Sequence, residues 1–468
     1  MKYFFRLSLL LGLIFTINSF GQDRQSILLA KQTSGTKITS ATGTLQFDLK
    51  GHTNSVNYAK WSPDGSKIVT VSNDETAIIW NAINGEKISS LRVDDKNTLI
   101  LKVSWSPDGT RIASVNEDKT AIIWNPLNGE KVYTLTGHTS SVNDLCWSPD
   151  GSKLVTVSSD RQAIIWSTST GNILFLLVGH PSSIYSVVWS PDGSKIATAS
   201  SDMIVKIWDG VNGVNLLTLS GHTRKICDMS WNPESSKLAT ASVDKSIIIW
   251  SATIGLPLQT FLCQTAVISV NWSPDGSKIA TADVDRDAII WSSIGGEKLF
   301  TLSGHTAGLH NVVWSPDGTK VATSSSDKTA IIWSAIDGSN LINIDGHKSY
   351  VYNVSWSPDG TKVATASNDY TAKTWYVNQK SIVSDEQTQQ HSNEFSIFPN
   401  PTNTIFTIQF NREIVAASNL RIYSLLGQTI VENQIPVGTK EWAVNLSRLP
   451  AGMYMVKINS TVKPLVVY

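Results

Sequence analysis

One phrase governs what this chain can fold into. It is first seen from Trp61 to Trp80 as WSPDGSKIVTVSNDETAIIW and returns, with small edits, seven more times. The opening Trp falls at Trp61, Trp105, Trp147, Trp189, Trp231, Trp272, Trp314 and Trp356, in steps of 44, 42, 42, 42, 41, 42 and 42 residues. The closing Trp falls at Trp80, Trp124, Trp166, Trp208, Trp250, Trp291, Trp333 and Trp375, so 16 of the 17 tryptophans keep the beat. A period near 42 residues with short apolar runs between turns is the length of four strands. A helical repeat would need a 3.6-residue periodicity, which is absent.

The turns define the strands between them. In unit one, Val56 to Trp61 reads as a first strand, Lys67 to Val71 as a second and Ala77 to Trp80 as a third. Between the first two, Pro63 presets φ, Asp64 can cap backbone donors and Gly65 tolerates positive φ, a hairpin signal. Asn73 to Glu75 turns the chain again, and Asn84-Gly85 leads into a fourth strand before the next Gly-His. Upstream, Ile27 to Ala30 is an apolar run, and Leu45, Phe47 and Leu49 alternate with polar residues as the strand before the first Gly-His.

Gly-His, SPDG, Ser-x-Asp and a strand ending in Trp, repeated in phase over roughly residues 43 to 377, resemble the WD-repeat β-propeller family. Only Trp208 is followed by the Asp, Asp209, that usually closes a unit of that family; Trp itself supplies the packing. The resemblance implies an all-β fold, an eight-bladed β-propeller in which the strand at Leu45 to Leu49 pairs beside the Trp375 strand and removes an exposed edge. Seven blades is the alternative, because unit two lacks Gly-His.

Residues 1–21 read as a signal peptide, with Lys2 and Arg6 ahead of an apolar stretch from Leu7 to Ile17 that is short for a membrane span. The propeller occupies 22–377, and the polar stretch 378–393 is a linker. In 394–468, short apolar runs separated by Pro, Asn and Gly read as a small antiparallel β-sandwich. Pro399, Asn400 and Pro401, then Leu425 and Gly427, then Leu449, Pro450, Ala451, Gly452 and Tyr454 resemble, in order, the C-terminal sorting domain of type IX secretion cargo. That resemblance implies passage through the outer membrane, removal of the domain, a partner in the type IX machinery, and a product released or held at the surface.

Zero formal net charge gives no footprint for nucleic acid. Three cysteines exclude a dense disulfide framework; Cys227 and Cys263, in neighbouring units, are a candidate bridge, and Cys146 is a packing residue. No phosphate loop, zinc helix or CxxC pair is present, so no cofactor is expected.

Ser, His and Asp recur together. Unit one has His52, Ser72 and Asp74 beside Trp80, and the same positions hold His138 and Asp160, His180 and Asp202, His222 and Asp244, His305 and Asp327, and His347 and Asp369. An enzyme needs one positioned nucleophile, whereas six identical sets point to a structural chain from the Trp indole through the Ser hydroxyl and His to Asp. Unit two departs from this set with Lys96 and Asn116, although Asp118 remains, and unit six departs with Cys263. Asp283, Asp285 and Asp287 offer oxygen ligands in alternation but lack the Gly of a calcium loop, and read first as turn chemistry.

In WD-repeat proteins, partner contacts concentrate six and four residues before the first-strand Trp and beside the turn Asp. Carried onto this chain, the positions are Leu99, Leu101, Tyr185, Lys225, Ile268, His310, Tyr350 and Tyr352, with Asn73, Glu117 and Asn368 beside turns. Large side chains with few rotors make efficient anchors, although the same positions can instead pack between blades. The sequence thus reads as a secreted or cell-surface scaffold that binds a protein, peptide or glycan on one face. The alternatives are an extracellular hydrolase or lyase with its site in the propeller mouth, and a purely structural surface protein.

Overall fold

The computed structural model describes residues 41–93, 98–377, 395–398, 405–410, 413, 418–424, 429–445, 452–458 and 461–467. The proposed signal peptide, the Ile27 to Ala30 run, Lys96, the linker, and the sorting-domain residues 399–401, 425, 427 and 449–451 lie outside them. The chain divides into two units between residues 380 and 381.

Among the described residues the first unit holds seven four-stranded sheets and one five-stranded sheet, all antiparallel but for one short pairing. After β1 (Ala41–Thr42) and β2 (Thr44–Lys50) come the strands of sheet one, β3 (Val56–Trp61), β4 (Lys67–Ser72), β5 (Thr76–Asn81) and β6 (Lys87–Arg92), paired in sequence order. The first hairpin closes where Gly65 takes φ 70°, its N–H donates to the Ser62 carbonyl at 2.9 Å, and Asp64 accepts from the Ser66 N–H at 3.0 Å. Sheets two to seven repeat the plan. Sheet eight consists of Val351–Trp356, Lys362–Ser367 and Thr371–Tyr376, with β2 as its outer strand; Leu45 lies opposite Trp375 and Leu49 opposite Ala372. Sheet seven carries an addition the repeat does not foretell, since β1 pairs in parallel with its outer strand Asn340–Ile344.

Each sheet packs on the next through an apolar cluster. Val69, Ile79 and Leu91 of sheet one meet Val103, Ile112 and Trp124 of sheet two, and equivalent clusters follow around the series. The last joins sheet eight to sheet one, with Leu49, Ala364, Ala366 and Ala372 against Val56, Trp61, Ile68 and Trp80. Here Gly85, at φ 76°, sits so close to the Phe47 ring that a Cβ would lie 2.8 Å from it. Middle strands face a neighbouring sheet on both sides and are apolar nearly throughout, as TAIIWN in β5 shows, while outer strands alternate. Burial of this kind is worth roughly 25 cal/mol per Å² of apolar surface and holds the fold without disulfides. All three cysteines are free thiols, so Cys227 and Cys263 do not form the candidate bridge; Cys263 packs instead into the cluster between sheets five and six.

The second unit has a three-stranded sheet, Phe395–Phe398, Ile405–Phe410 and Glu441–Asn445, and a four-stranded one, Ser418–Ser424, Thr429–Ile435, Gly452–Ile458 and Thr461–Val467. Phe395, Phe406, Ile408, Leu420, Ile422, Tyr454, Val456 and Leu465 form one core between them, as expected of a small sandwich. Among the described residues no helix is long and apolar enough to cross a membrane.

Candidate functional site

Two ends of the first unit must be distinguished. Each first strand begins beside the Ser-x-Asp turn and ends at the SPDG turn, as the pairing of Val56 with Ser72 and of Trp61 with Ile68 shows. Gly-His belongs to the first end, where the hydrogen-bonded chains lie.

These chains are present, but the hydroxyl in them is not the one the sequence suggested. Trp80 Nε1–H donates to Thr70 Oγ1 at 2.8 Å, Thr70 Oγ1 lies 2.8 Å from His52 Nε2, and His52 Nδ1 lies 2.9 Å from Asp74 Oδ2. An indole only donates and a carboxylate only accepts, so in a neutral imidazole Nδ1 carries the proton and the Thr70 hydroxyl donates to Nε2. Ser72 stands outside this path. Its hydroxyl accepts the Asp74 N–H at 3.1 Å and donates to the Asn54 carbonyl at 3.0 Å, fixing the loop to the turn. The path recurs through Thr156, Thr198, Thr240, Thr323 and Thr365, joining His138 to Asp160, His180 to Asp202, His222 to Asp244, His305 to Asp327, and His347 to Asp369. Side-chain alternation explains the correction. Thr70 and Ser72 share a face, but Thr70 lies at mid-strand, level with the Trp indole, and Ser72 at the end.

Burial lowers the pKa of His138, His180 and His222 and favours their neutral form. Burial alone would raise the Asp244 carboxyl, but the Ser246 hydroxyl, the Thr223 N–H and the His222 ring hold it at about 2. Groups so enclosed and paired are poor candidates for attacking a substrate. Sheet two keeps only part of the path, with Trp124 Nε1–H donating to Ser114 at 2.9 Å and Asn116 reaching Thr120 at 3.1 Å. In sheet six Trp291 donates to Thr281 at 2.9 Å. Asp283 is buried there and burial raises its pKa, whereas Asp285 is exposed and Asp287 half-exposed. Among the described residues no group of three His, Cys, Asp or Glu side chains is placed to hold a metal.

The eight candidate contact residues separate into distinct settings. Leu101 and Ile268 are half-buried and pack into inter-sheet clusters, and Leu99 is half-buried. Tyr185 is also packed between sheets; its hydroxyl accepts the Ile226 N–H at 3.1 Å, and the exposed Lys225 ammonium stands 5.1 Å from its ring centroid. His310, Tyr350 and Tyr352 come together. The His310 and Tyr352 ring centroids are 5.2 Å apart at 73°, and those of Tyr350 and Tyr352 are 6.5 Å apart at 69°. His310 Nε2 is 2.8 Å from Ser326 Oγ, and Tyr352 donates to Asn368 Oδ1 at 3.3 Å. Asn368 Nδ2 donates to Ser349 at 2.9 Å, and Ser55 of sheet one donates to Asn368 Oδ1 at 2.5 Å.

Tyr350 is the outward member, with 47 % of its surface exposed. Its carbonyl accepts the Asn368 N–H, a bond made at the same place by small Ser55, Ser141, Ser183, Ala266 and Gly308 in other sheets. The backbone therefore does not ask for a Tyr here, and the ring projects from a fixed strand end.

Propeller sheets with this His–Asp network define the class. The WD domain, G-beta repeat model matches residues 43–81, 85–125, 296–334 and 338–376, and a model described as the IFT122 first beta-propeller matches 141–298. The chain belongs to the WD-repeat β-propeller family. Its second unit belongs to another family, matching the secretion system C-terminal sorting domain over residues 396–467. The chain is 38% identical over 77 residues to Protein HIR1 of Candida albicans, a match that covers 14% of this chain and 8% of that protein. The computationally designed Ika8 protein is similar with a TM-score of 0.65 at 22% identity, covering 72% of this chain and 100% of that one. The C-terminal WD40 domain of Sif2 gives 0.65 at 18% identity, covering 73% and 100%. At these identities the structures speak for the fold alone.

Proposed function

We propose that the eight sheets close as an eight-bladed propeller, exported through the type IX route, that binds a protein, peptide or glycan partner at the end carrying the Gly-His turns. It works by recognition and makes or breaks no bond in its partner. The observation that carries this reading is the aromatic group His310, Tyr350 and Tyr352. It breaks the repeat on two adjacent sheets and is held by Ser326 and Asn368 while leaving Tyr350 largely open. Rigid aromatic surface at a rim buries area at small entropic cost, as binding anchors do. The eight apolar clusters and the β2 pairing support the closed ring, and the sorting domain supports export to the outer-membrane surface or beyond.

Replacing His310, Tyr350 and Tyr352 together by Ala tests the reading. Capture of a partner from surface extracts should fall at least tenfold while unfolding stays cooperative; undiminished capture by the folded variant would refute this site.

A further inference from the structure

A sheet that ends on an outer strand leaves one side of that strand's backbone open to a further strand. At sheet seven the chain supplies that strand itself: β1 lies along Asn340–Ile344 with Ala41 opposite Ile342, and the Gly43 N–H donates to the Asn343 carbonyl at 2.8 Å. Most of the other outer strands blunt the edge by composition. Those of sheets one, two, six and eight carry charge, as Lys87 and Arg92, Lys131, Lys298, and Asp48 with Lys50. In sheet five the strand opens on Pro257, and in sheet four it is five residues long with Asn215 and Thr218 exposed.

Sheet three has none of these devices. Its outer strand, Ile173–Val178, reads ILFLLV, six apolar residues with neither charge nor proline, and its far side is unpaired among the described residues. Side-chain alternation gives the strand two different faces. Leu177 is fully buried in the cluster between sheets three and four, and Phe175 packs against that cluster. The opposite face carries Leu174, Leu176 and Val178, which are 40, 54 and 66 % exposed. In sheet two the places of Leu176 and Val178, on either side of the corresponding buried Leu135, are held by exposed Thr134 and Thr136. The repeat therefore does not ask for apolar residues there.

We propose that this strand is the docking edge for a second copy of the chain, the two Ile173–Val178 strands pairing antiparallel across a two-fold axis and joining their sheets into one. A strand paired antiparallel with its own copy is self-complementary, so the open N–H and carbonyl groups of each copy meet those of the other. The strand carries no charge, so the pairing sets no like charges together and places every side chain beside an apolar neighbour. The same pairing at sheet one would set Lys87 against Arg92, two like charges. The edge is on sheet three and the aromatic group on sheets seven and eight, so the proposal does not depend on the rim reading.

Sedimentation equilibrium of the full chain over a concentration series tests this. Wild type should show a monomer–dimer equilibrium. Leu176→Lys combined with Val178→Lys should weaken it tenfold or more, whereas Thr134→Lys combined with Thr136→Lys, at the matching places of sheet two, should leave it unchanged. A wild type that stays monomeric throughout, a dimer equally stable in the folded Leu176→Lys, Val178→Lys variant, or equal loss in both Lys pairs overturns the proposal. Amide exchange on the unsubstituted protein gives a readout independent of any variant. Amides within Ile173–Val178 should exchange severalfold more slowly in concentrated than in dilute samples, relative to those within Lys131–Thr136, and an unchanged ratio overturns the proposal. Protection of this strand that comes only with a different protein, the chain itself remaining monomeric, overturns it as well.

Discussion

Thr70→Val is the sharpest perturbation of the repeated network, because it keeps shape and removes one hydroxyl. Thr70 is fully buried, and its oxygen lies 2.8 Å from both the Trp80 indole nitrogen and His52 Nε2. The substitution leaves two buried polar groups without their shared partner. Each such orphan costs about 1–3 kcal/mol, so the loss should be about 2–6 kcal/mol. Ser72→Ala breaks bonds of 3.0 and 3.1 Å in part-buried surroundings and should cost about 1 kcal/mol. Urea unfolding read by tryptophan fluorescence, with amide exchange along β3 to β5 to localise the damage, measures both. Finding Ser72→Ala the more costly would refute the assignment of Thr70 as the link and restore the path first read from Ser-x-Asp.

Three further outcomes follow from named groups. His138, His180 and His222 have folded pKa values below 6.5, so the stability they contribute is complete above that pH and is lost as pH falls toward the folded values. Asp244, at about 2 against 3.8, contributes stability above pH 3.8 that disappears as pH falls through about 2; melting temperature should therefore be flat above pH 7 and drop in both windows, and a maximum near pH 5 would contradict the neutral His assignment. Gly85→Ala forces a Cβ to 2.8 Å from Phe47 at a backbone φ of 76°, and should cost about 1–3 kcal/mol by urea unfolding, with Phe47→Ala in the same chain recovering part of the steric component. Three thiols should react in denaturant without reductant, while in the native protein Cys263, which burial pushes up to about 11, should react slowly at pH 8.

The architecture was legible because the repeat restates its turns in unit after unit. SPDG, Ser-x-Asp and Asn-Gly mark where strands must end, and the pairing of Leu45 with Trp375 follows from the one strand left over upstream. The network was half legible. His and Asp are conspicuous, but the Thr between them resembles any strand residue, and only its constant distance of ten residues before the closing Trp betrays it, from Thr70 and Trp80 to Thr365 and Trp375.

Among the candidate contacts, position alone could not separate Leu101 and Ile268, which pack inward, from Tyr350, which projects, because exposure depends on how neighbouring sheets meet. The pairing of Lys102 with Asp144, between the first strands of sheets two and three, was not read from the sequence and required the geometry.

If the Gly-His end recognises a partner through the aromatic group, that group touches the partner where the protein is exported. A photo-crosslinking residue placed at Tyr350, on intact cells that export the protein, tests it most directly. Recognition through this group predicts a discrete crosslinked adduct from that position and none from Ile83, a still more exposed apolar residue on a different turn. Equal adducts from both positions, or none from Tyr350, would contradict it.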